Sequence, residues 1–341
     1  MFDSRIYSFY KEMKDIKNEK FPKPRYMGFY PTNMCQFNCT FCDYKALNNN
    51  NRVLSETQWK YILKSFKDFG GEAIDLCGGG EPLMLKDVGN LIAYANKIGL
   101  HIGVVTNGLM IDREKHYDLY CDLVEFCKYI RVSFEAGSAD GLKRIKGKDY
   151  FNKILSNVSA LIKDSSDFTN PVEVSWKYTI PSNYNMKDIH QAINLADIHG
   201  FYSIQFKPVC NADDLTLRDE DREIVQEYIE EYVIQNNIKT LVSYNLEKVQ
   251  KKTPECWICS IQTIVDCYGD VHLCCYYNHR TKNHTIGNIF KNTFKEIWNS
   301  YLHYRITKEV NIKECNMYDC RYIRYEKIMN KAMDTKLLSF I

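Results

Sequence analysis

A chain of 341 residues with 45 Lys and Arg against 43 Asp and Glu is long enough to bury a large core. Its formal charge of +2 excludes a nucleic-acid face built on bulk electrostatics. With no run of about 18 apolar residues, a helical membrane span is not expected, and the opening Met1-Phe2-Asp3-Ser4-Arg5 lacks the apolar stretch of a signal peptide. A cytoplasmic location is therefore expected. In that setting, 14 cysteines point to metal binding or catalysis rather than a disulfide framework. Three lie near residue 40, four stand singly between 77 and 210, and seven follow residue 255, which implies two metal sites.

In chain order, short apolar runs at 27–32, 73–77, 101–106, 129–134, 172–180 and 202–208 read as strands. Amphipathic segments at 55–69, 87–98, 113–126, 151–163 and 186–199 alternate with them, and Ser55 followed by Gln58 is a capping-box start. The alternation implies parallel pairing with right-handed crossovers. Six units make an α/β fold of the incomplete-barrel type, a partial (βα)6 barrel with its chemistry at the carboxyl ends of the strands. A charged helix is expected at 219–233 and a linker at 246–254. Beyond it the chain becomes cysteine-rich, with a hairpin signal at Gly269-Asp270. The expected domains are an N-terminal extension (1–26), the barrel (27–245) and a small C-terminal domain with a terminal helix (246–341).

Directly after the first strand, Cys35-Gln-Phe-Asn-Cys39-Thr-Phe-Cys42 spaces three thiols so that one tight loop turns them toward one centre. A four-iron cluster takes four ligands, so three cysteines leave one iron open. Structural zinc, the rival, requires a closed tetrahedral set, and no histidine stands nearby in sequence. This pattern, with Phe41 before the third cysteine, resembles the radical S-adenosylmethionine (SAM) superfamily. The resemblance implies that the open iron of a [4Fe-4S] cluster chelates SAM, whose reductive cleavage yields a 5′-deoxyadenosyl radical. It also implies cofactor contacts at three strand ends. Gly79-Gly80-Glu81-Pro82 follows the second strand, Asn107 of Thr106-Asn107-Gly108 the third, and Ser133 with Glu135 the fourth.

The C-terminal cysteines resemble the auxiliary-cluster extension of the same enzymes, SPASM in its long form and twitch in its short form. Cys256, Gly269, Cys274, Cys315 and Cys320 carry that resemblance. It implies an auxiliary [4Fe-4S] cluster on Cys256, Cys274, Cys315 and Cys320, with Cys259 an alternative to Cys256. The short form is favoured, because the dense cysteine run ending the long form is missing. Cys121 and Cys127 read as small buried hydrophobes on a helix, and Cys77 as barrel packing. Cys210, after the sixth strand, and Cys267, in the hairpin, are candidate catalytic thiols that would return a hydrogen atom to a substrate radical.

The expected function is hydrogen abstraction from a small polar substrate such as a sugar or cyclitol, ending in dehydrogenation or epimerisation. An external one-electron reductant such as flavodoxin or ferredoxin would supply the electron. Maturation of a ribosomally made peptide is the alternative within the family, and a non-catalytic metal-binding or electron-carrier protein the alternative outside it.

Overall fold

Seven strands run parallel and adjacent in chain order through the computed structural model, which describes residues 2–18, 20–42, 44–45, 50–209, 213–244, 246, 256–275, 284–310, 325 and 328–330. They are β1 (Tyr26–Phe29), β2 (Ala73–Leu76), β3 (His101–Thr106), β4 (Cys127–Ser133), β5 (Glu173–Ile180), β6 (Ser203–Pro208) and β7 (Leu241–Tyr244). The six expected strands are all present. β7 is an addition: a four-residue edge strand whose side chains are partly or fully exposed, so no apolar run announces it.

The helices are α1 (Tyr10–Lys17), α2 (Glu56–Phe69), α3 (Val88–Lys97), α4 (Tyr117–Phe126), α5 (Ala139–Lys146), α6 (Phe151–Ser165), α7 (Met186–Ile198), α8 (Asp219–Gln235), α9 (Phe294–Trp298) and α10 (Tyr301–Glu309). Ser55 caps α2 through the expected capping box with Gln58. Trp59, Ile62, Leu63 and Phe66 then bury one helical face completely. Each such burial stabilises the fold by about 1.5–3 kcal/mol. One correction concerns Cys127, which is the first residue of β4 rather than a helical residue, although it is buried as expected.

The parallel strands do not read as continuous apolar runs, because only their outer faces meet helices. Ile74, Val104, Ile130, Trp176 and Ile204 point outward into the core. The intervening Asp75, Gly103, Arg131, Lys177 and Gln205 line an interior cavity of about 620 Å³.

The cysteine-rich segment joins the same sheet. β8 (Gln262–Val265) pairs parallel with β1, from Tyr26 opposite Gln262 to Phe29 opposite Val265. β9 (Asp270–His272) returns antiparallel to β8, and β10 (Thr285–Asn288) pairs antiparallel with β9. The expected hairpin at Gly269-Asp270 is therefore present. Gly269 adopts φ 78, and Asp266 Oδ1 accepts the N–H groups of Tyr268 and Asp270 at 2.9 and 3.0 Å. Among the described residues no helix is long and apolar enough to cross a membrane.

Candidate active site

The loop after β1 is held both by its own hydrogen bonds, such as Asn33 N–H to Arg52 O at 2.8 Å, and by its neighbours. Gly80 N–H donates to Thr32 O at 2.8 Å and Glu81 N–H to Met34 O at 2.7 Å, lacing this loop to the one after β2. From the other side Thr40 N–H donates to Ile145 O at 3.0 Å, and Lys148 Nζ to Gln36 O at 2.8 Å. The lacing demands glycine. Gly79 has φ 65, and a Cβ at Gly80 would run into the Met34 carbonyl oxygen.

Cys35, Cys39 and Cys42 border one cavity of about 240 Å³ with Phe41. Burial raises the Cys35 thiol and pushes Cys39 up to about 11, opposed in both by the Lys146 ammonium. Metal ligation by these thiols therefore displaces protons. Among the described residues no three His, Cys, Asp or Glu side chains stand close enough to cage a single ion. Three thiols on one cavity wall are the ligand set that would leave one iron of a four-iron cluster open.

Gly79, Gly80, Glu81, Asn107, Ser133 and Glu135 border the same cavity, so the structure brings the expected cofactor contacts together from three strand ends. Pro82 stands apart, buried at the start of a 3-10 turn. Glu81 Oε1 accepts from Thr106 Oγ1 at 2.6 Å and Leu83 N–H at 3.2 Å, and Oε2 from Asn107 N–H at 2.7 Å. Its carboxylate thus ties the ends of β2 and β3 together while its outer edge faces the cavity. Burial outweighs these bonds and raises its pKa.

Glu135 sits at φ 66, a conformation costly for a residue with a Cβ. Burial would raise its pKa, but the Lys177 and Lys146 ammoniums and the Thr179 side chain bring it below the usual value. One buried donor on the cavity wall, Asn107 Nδ2, has no protein partner among the described residues. Three thiols, a glycine cradle and an unmatched amide donor fit a cluster with SAM.

Lys146 was not legible in the sequence. It lies on α5, itself unforeseen, with 2% of its surface exposed, donating to Ser133 O and standing 5.0 Å over the Phe37 ring. Only the fold turns this lysine of an amphipathic helix inward. Lys177 of β5 and Lys207 of β6 also border the cavity. With Val105 they border the 620 Å³ lumen too, so the two spaces meet there.

The second set is partly described. Cys256 and Cys274 are half-buried at the two ends of the hairpin, whereas Cys315, Cys320 and the candidate thiol Cys210 lie outside the described residues. Cys259 is buried and donates to Cys256 O at 2.9 Å, closing a turn. Tyr44 OH donates to Cys275 O at 3.3 Å and meets Tyr30 OH at 3.2 Å, fastening the hairpin to the primary loop. Cys267 does not border the active-site cavity. It is fully buried in the core, where burial pushes its thiol up to about 12, and a hydrogen-atom donor must reach the substrate. Cys77, read as packing, does border the cavity while donating to Asp75 O at 3.4 Å.

Comparison with known proteins agrees with this geometry. The model of the radical SAM superfamily matches residues 29–196, and that of the SPASM iron–sulfur cluster-binding domain matches residues 256–321. A probable GTP 3′,8-cyclase of Saccharolobus islandicus is 24% identical over 61% of this chain and 65% of its own length. The Fe-coproporphyrin III synthase of Methanosarcina barkeri is 27% identical over 49% of this chain and 39% of its own length. The chain thus matches less than two thirds of these curated relatives.

Among solved structures, Streptococcus suis SuiB bound to precursor peptide SuiA superposes with a TM-score of 0.69 at 14% identity, covering 94% of this chain and 77% of that one. Native anSMEcpe with bound AdoMet and a peptide gives a TM-score of 0.64 at 18% identity, covering 89% and 87%. At such identities these neighbours speak for the fold. The three-thiol cavity, the strand-end contacts and the two family models together place this chain in the radical SAM superfamily, with a SPASM iron–sulfur cluster-binding domain, and imply [4Fe-4S] clusters and SAM as its cofactors.

Proposed function

We propose that this enzyme removes a hydrogen atom from a carbon of a small polar substrate held in the barrel lumen, and that the outcome is dehydrogenation or epimerisation. When bound, the primary cluster and SAM supply a 5′-deoxyadenosyl radical. The chain's own residues position and shield. Cys35, Cys39 and Cys42 would hold three irons, and the loop of Gly79 to Glu81 would receive the methionyl part of SAM. Asn107, Ser133, Glu135 and Thr179 would orient the remainder through the donors and acceptors they turn to the cavity.

The observation that carries the reading is the meeting of the two cavities at Val105, Lys177 and Lys207. A substrate in the lumen lies directly against the cofactor space. The volume of about 620 Å³ is that of a small-molecule site. Peptide modification is the second reading, supported by fold neighbours solved with peptides.

The deciding experiment is anaerobic reconstitution, quantification of iron and sulfide, and assay of 5′-deoxyadenosine with dithionite and SAM. About eight irons, falling to about four in a Cys35→Ala, Cys39→Ala, Cys42→Ala variant that forms no product, is the expected result. Well-loaded clusters without SAM cleavage across a substrate screen would overturn the catalytic reading in favour of an electron carrier.

A further inference from the structure

We propose that the lumen beneath the cofactor cavity is an anion-recognising substrate pocket, in which Arg131 receives a carboxylate or phosphate of the substrate. This rests on the functional reading above and narrows its substrate to an anionic small molecule. Arg131 lies in the middle of β4, where strand register sets it beside Val105 of β3 and Ser175 of β5. Ser133, two residues on along the same face, borders the cofactor cavity, whereas Arg131 borders only the lumen. At about 3.3 Å per residue, the guanidinium is rooted roughly 7 Å below the cofactor level.

Arg131 has no ion pair or hydrogen bond among the described residues; its one recorded contact is with the Tyr129 ring, 5.7 Å from its guanidinium carbon. The acids that could neutralise it are engaged elsewhere. Asp75 accepts from Tyr26 OH at 2.7 Å and also from Tyr129 OH. Glu72 takes Arg25 at 2.6 Å, and Glu135, from the cofactor side, takes Lys177 at 3.2 Å.

Of the charged side chains bordering the lumen, Arg25, Lys128, Arg131, Lys177 and Lys207 are cationic, against Glu72 and Asp75. A half-buried guanidinium without an acid partner keeps its planar fork free, and that fork fits a carboxylate or phosphate through two parallel hydrogen bonds. A ligand whose acid group sits there places its body at Val105, Lys177 and Lys207, against the space where the radical is formed.

The test titrates the reconstituted full chain, saturated with SAM, by calorimetry with succinate, pyrophosphate and neutral glycerol. At least one anion is expected to bind saturably and glycerol not at all, and the anion that binds tells carboxylate from phosphate. Affinity should fall at least about tenfold in Arg131→Gln, the scale of a lost charge-assisted hydrogen bond, and recover in part in Arg131→Lys. Arg113→Gln, which removes an equal charge from the outer surface, where Arg113 pairs with Asp164 at 3.1 Å, should bind the anion as the parent does.

Equal affinity in Arg131→Gln, or no saturable anion site, overturns the proposal. So does anion binding that disappears when SAM saturates, since Arg131 would then serve the cofactor's own carboxylate. Iron content and SAM affinity of the same samples separate the two failures. Loaded clusters without an anion site sink the pocket alone, whereas absent clusters or SAM binding sink the functional reading.

Discussion

Glu135 and Lys177 are joined twice: Lys177 Nζ stands 3.2 Å from Glu135 Oε1, and the Glu135 N–H donates to the Lys177 carbonyl at 3.1 Å. The second bond holds Glu135 in its positive-φ turn, and the first keeps a cation and an anion beside each other where β4 and β5 end. Replacing the carboxylate by an amide leaves Lys177 facing a neutral group. Glu135→Gln should cost about 1–3 kcal/mol in urea denaturation and weaken SAM binding by about tenfold or more. Unchanged stability and SAM affinity would refute a structural and cofactor-facing role for the pair.

Glu81 receives three donors and gives none. An amide in its place must turn NH2 toward Thr106 Oγ1, Leu83 N–H or Asn107 N–H. Glu81→Gln is expected to lower stability by about 1–3 kcal/mol and to loosen the junction of the β2 and β3 loops. Limited proteolysis should then cut near residues 78–85, where the parent chain resists.

Gly80 and Gly147 make a matched comparison. A Cβ at Gly80 meets the Met34 carbonyl beside the first cluster cysteine, whereas one at Gly147, at φ 75, meets nothing within 4 Å. Gly147→Ala should cost only about 1–2 kcal/mol of backbone strain and retain full iron. Gly80→Ala has to displace the cysteine loop, so iron retained after reconstitution should fall by about half, from two clusters to one. Equal iron in the two variants would show that the loop tolerates the shift.

His303 is fully buried between Trp298, with ring centroids at 4.2 Å, and Phe21, at 5.1 Å. Its Nδ1 donates to Trp298 O at 2.6 Å, and Nε2 has no partner among the described residues. Burial lowers its pKa below the ordinary 6.5, only partly offset by that bond. The unfolded chain therefore binds more protons between the two values. The neutral ring's stabilisation is complete above about 6.5 and is lost as pH falls through the lower, folded value. The urea midpoint should drop between pH 7.5 and 5.5, and His303→Leu should flatten that slope. An identical slope in the variant would place the titration elsewhere.

The sequence by itself determined the chemistry that depends on local spacing. Three thiols with three and then two intervening residues need no tertiary information to share a loop, and all three reach one cavity. Alternation of apolar runs with amphipathic segments likewise determined six parallel strands in order, because consecutive βα units pair with their neighbours.

Only the tertiary structure decided what long-range closure brings together. β7 carries no apolar signal, since it lies at a sheet edge. β8 docks parallel to β1 across more than two hundred residues, which no local pattern encodes. Lys146, Cys77 and Cys267 show the same limit. A lysine on a helix the sequence did not announce turns into the site, a thiol read as packing is buried in a cluster and also borders the cavity, and the candidate thiol Cys267 does not border it. Arg131 is the sharpest case. On sequence it is one charged residue alternating with apolar ones in a strand. Closing the sheet around a lumen leaves it a half-buried cation on the lumen wall whose neighbouring acids are already engaged.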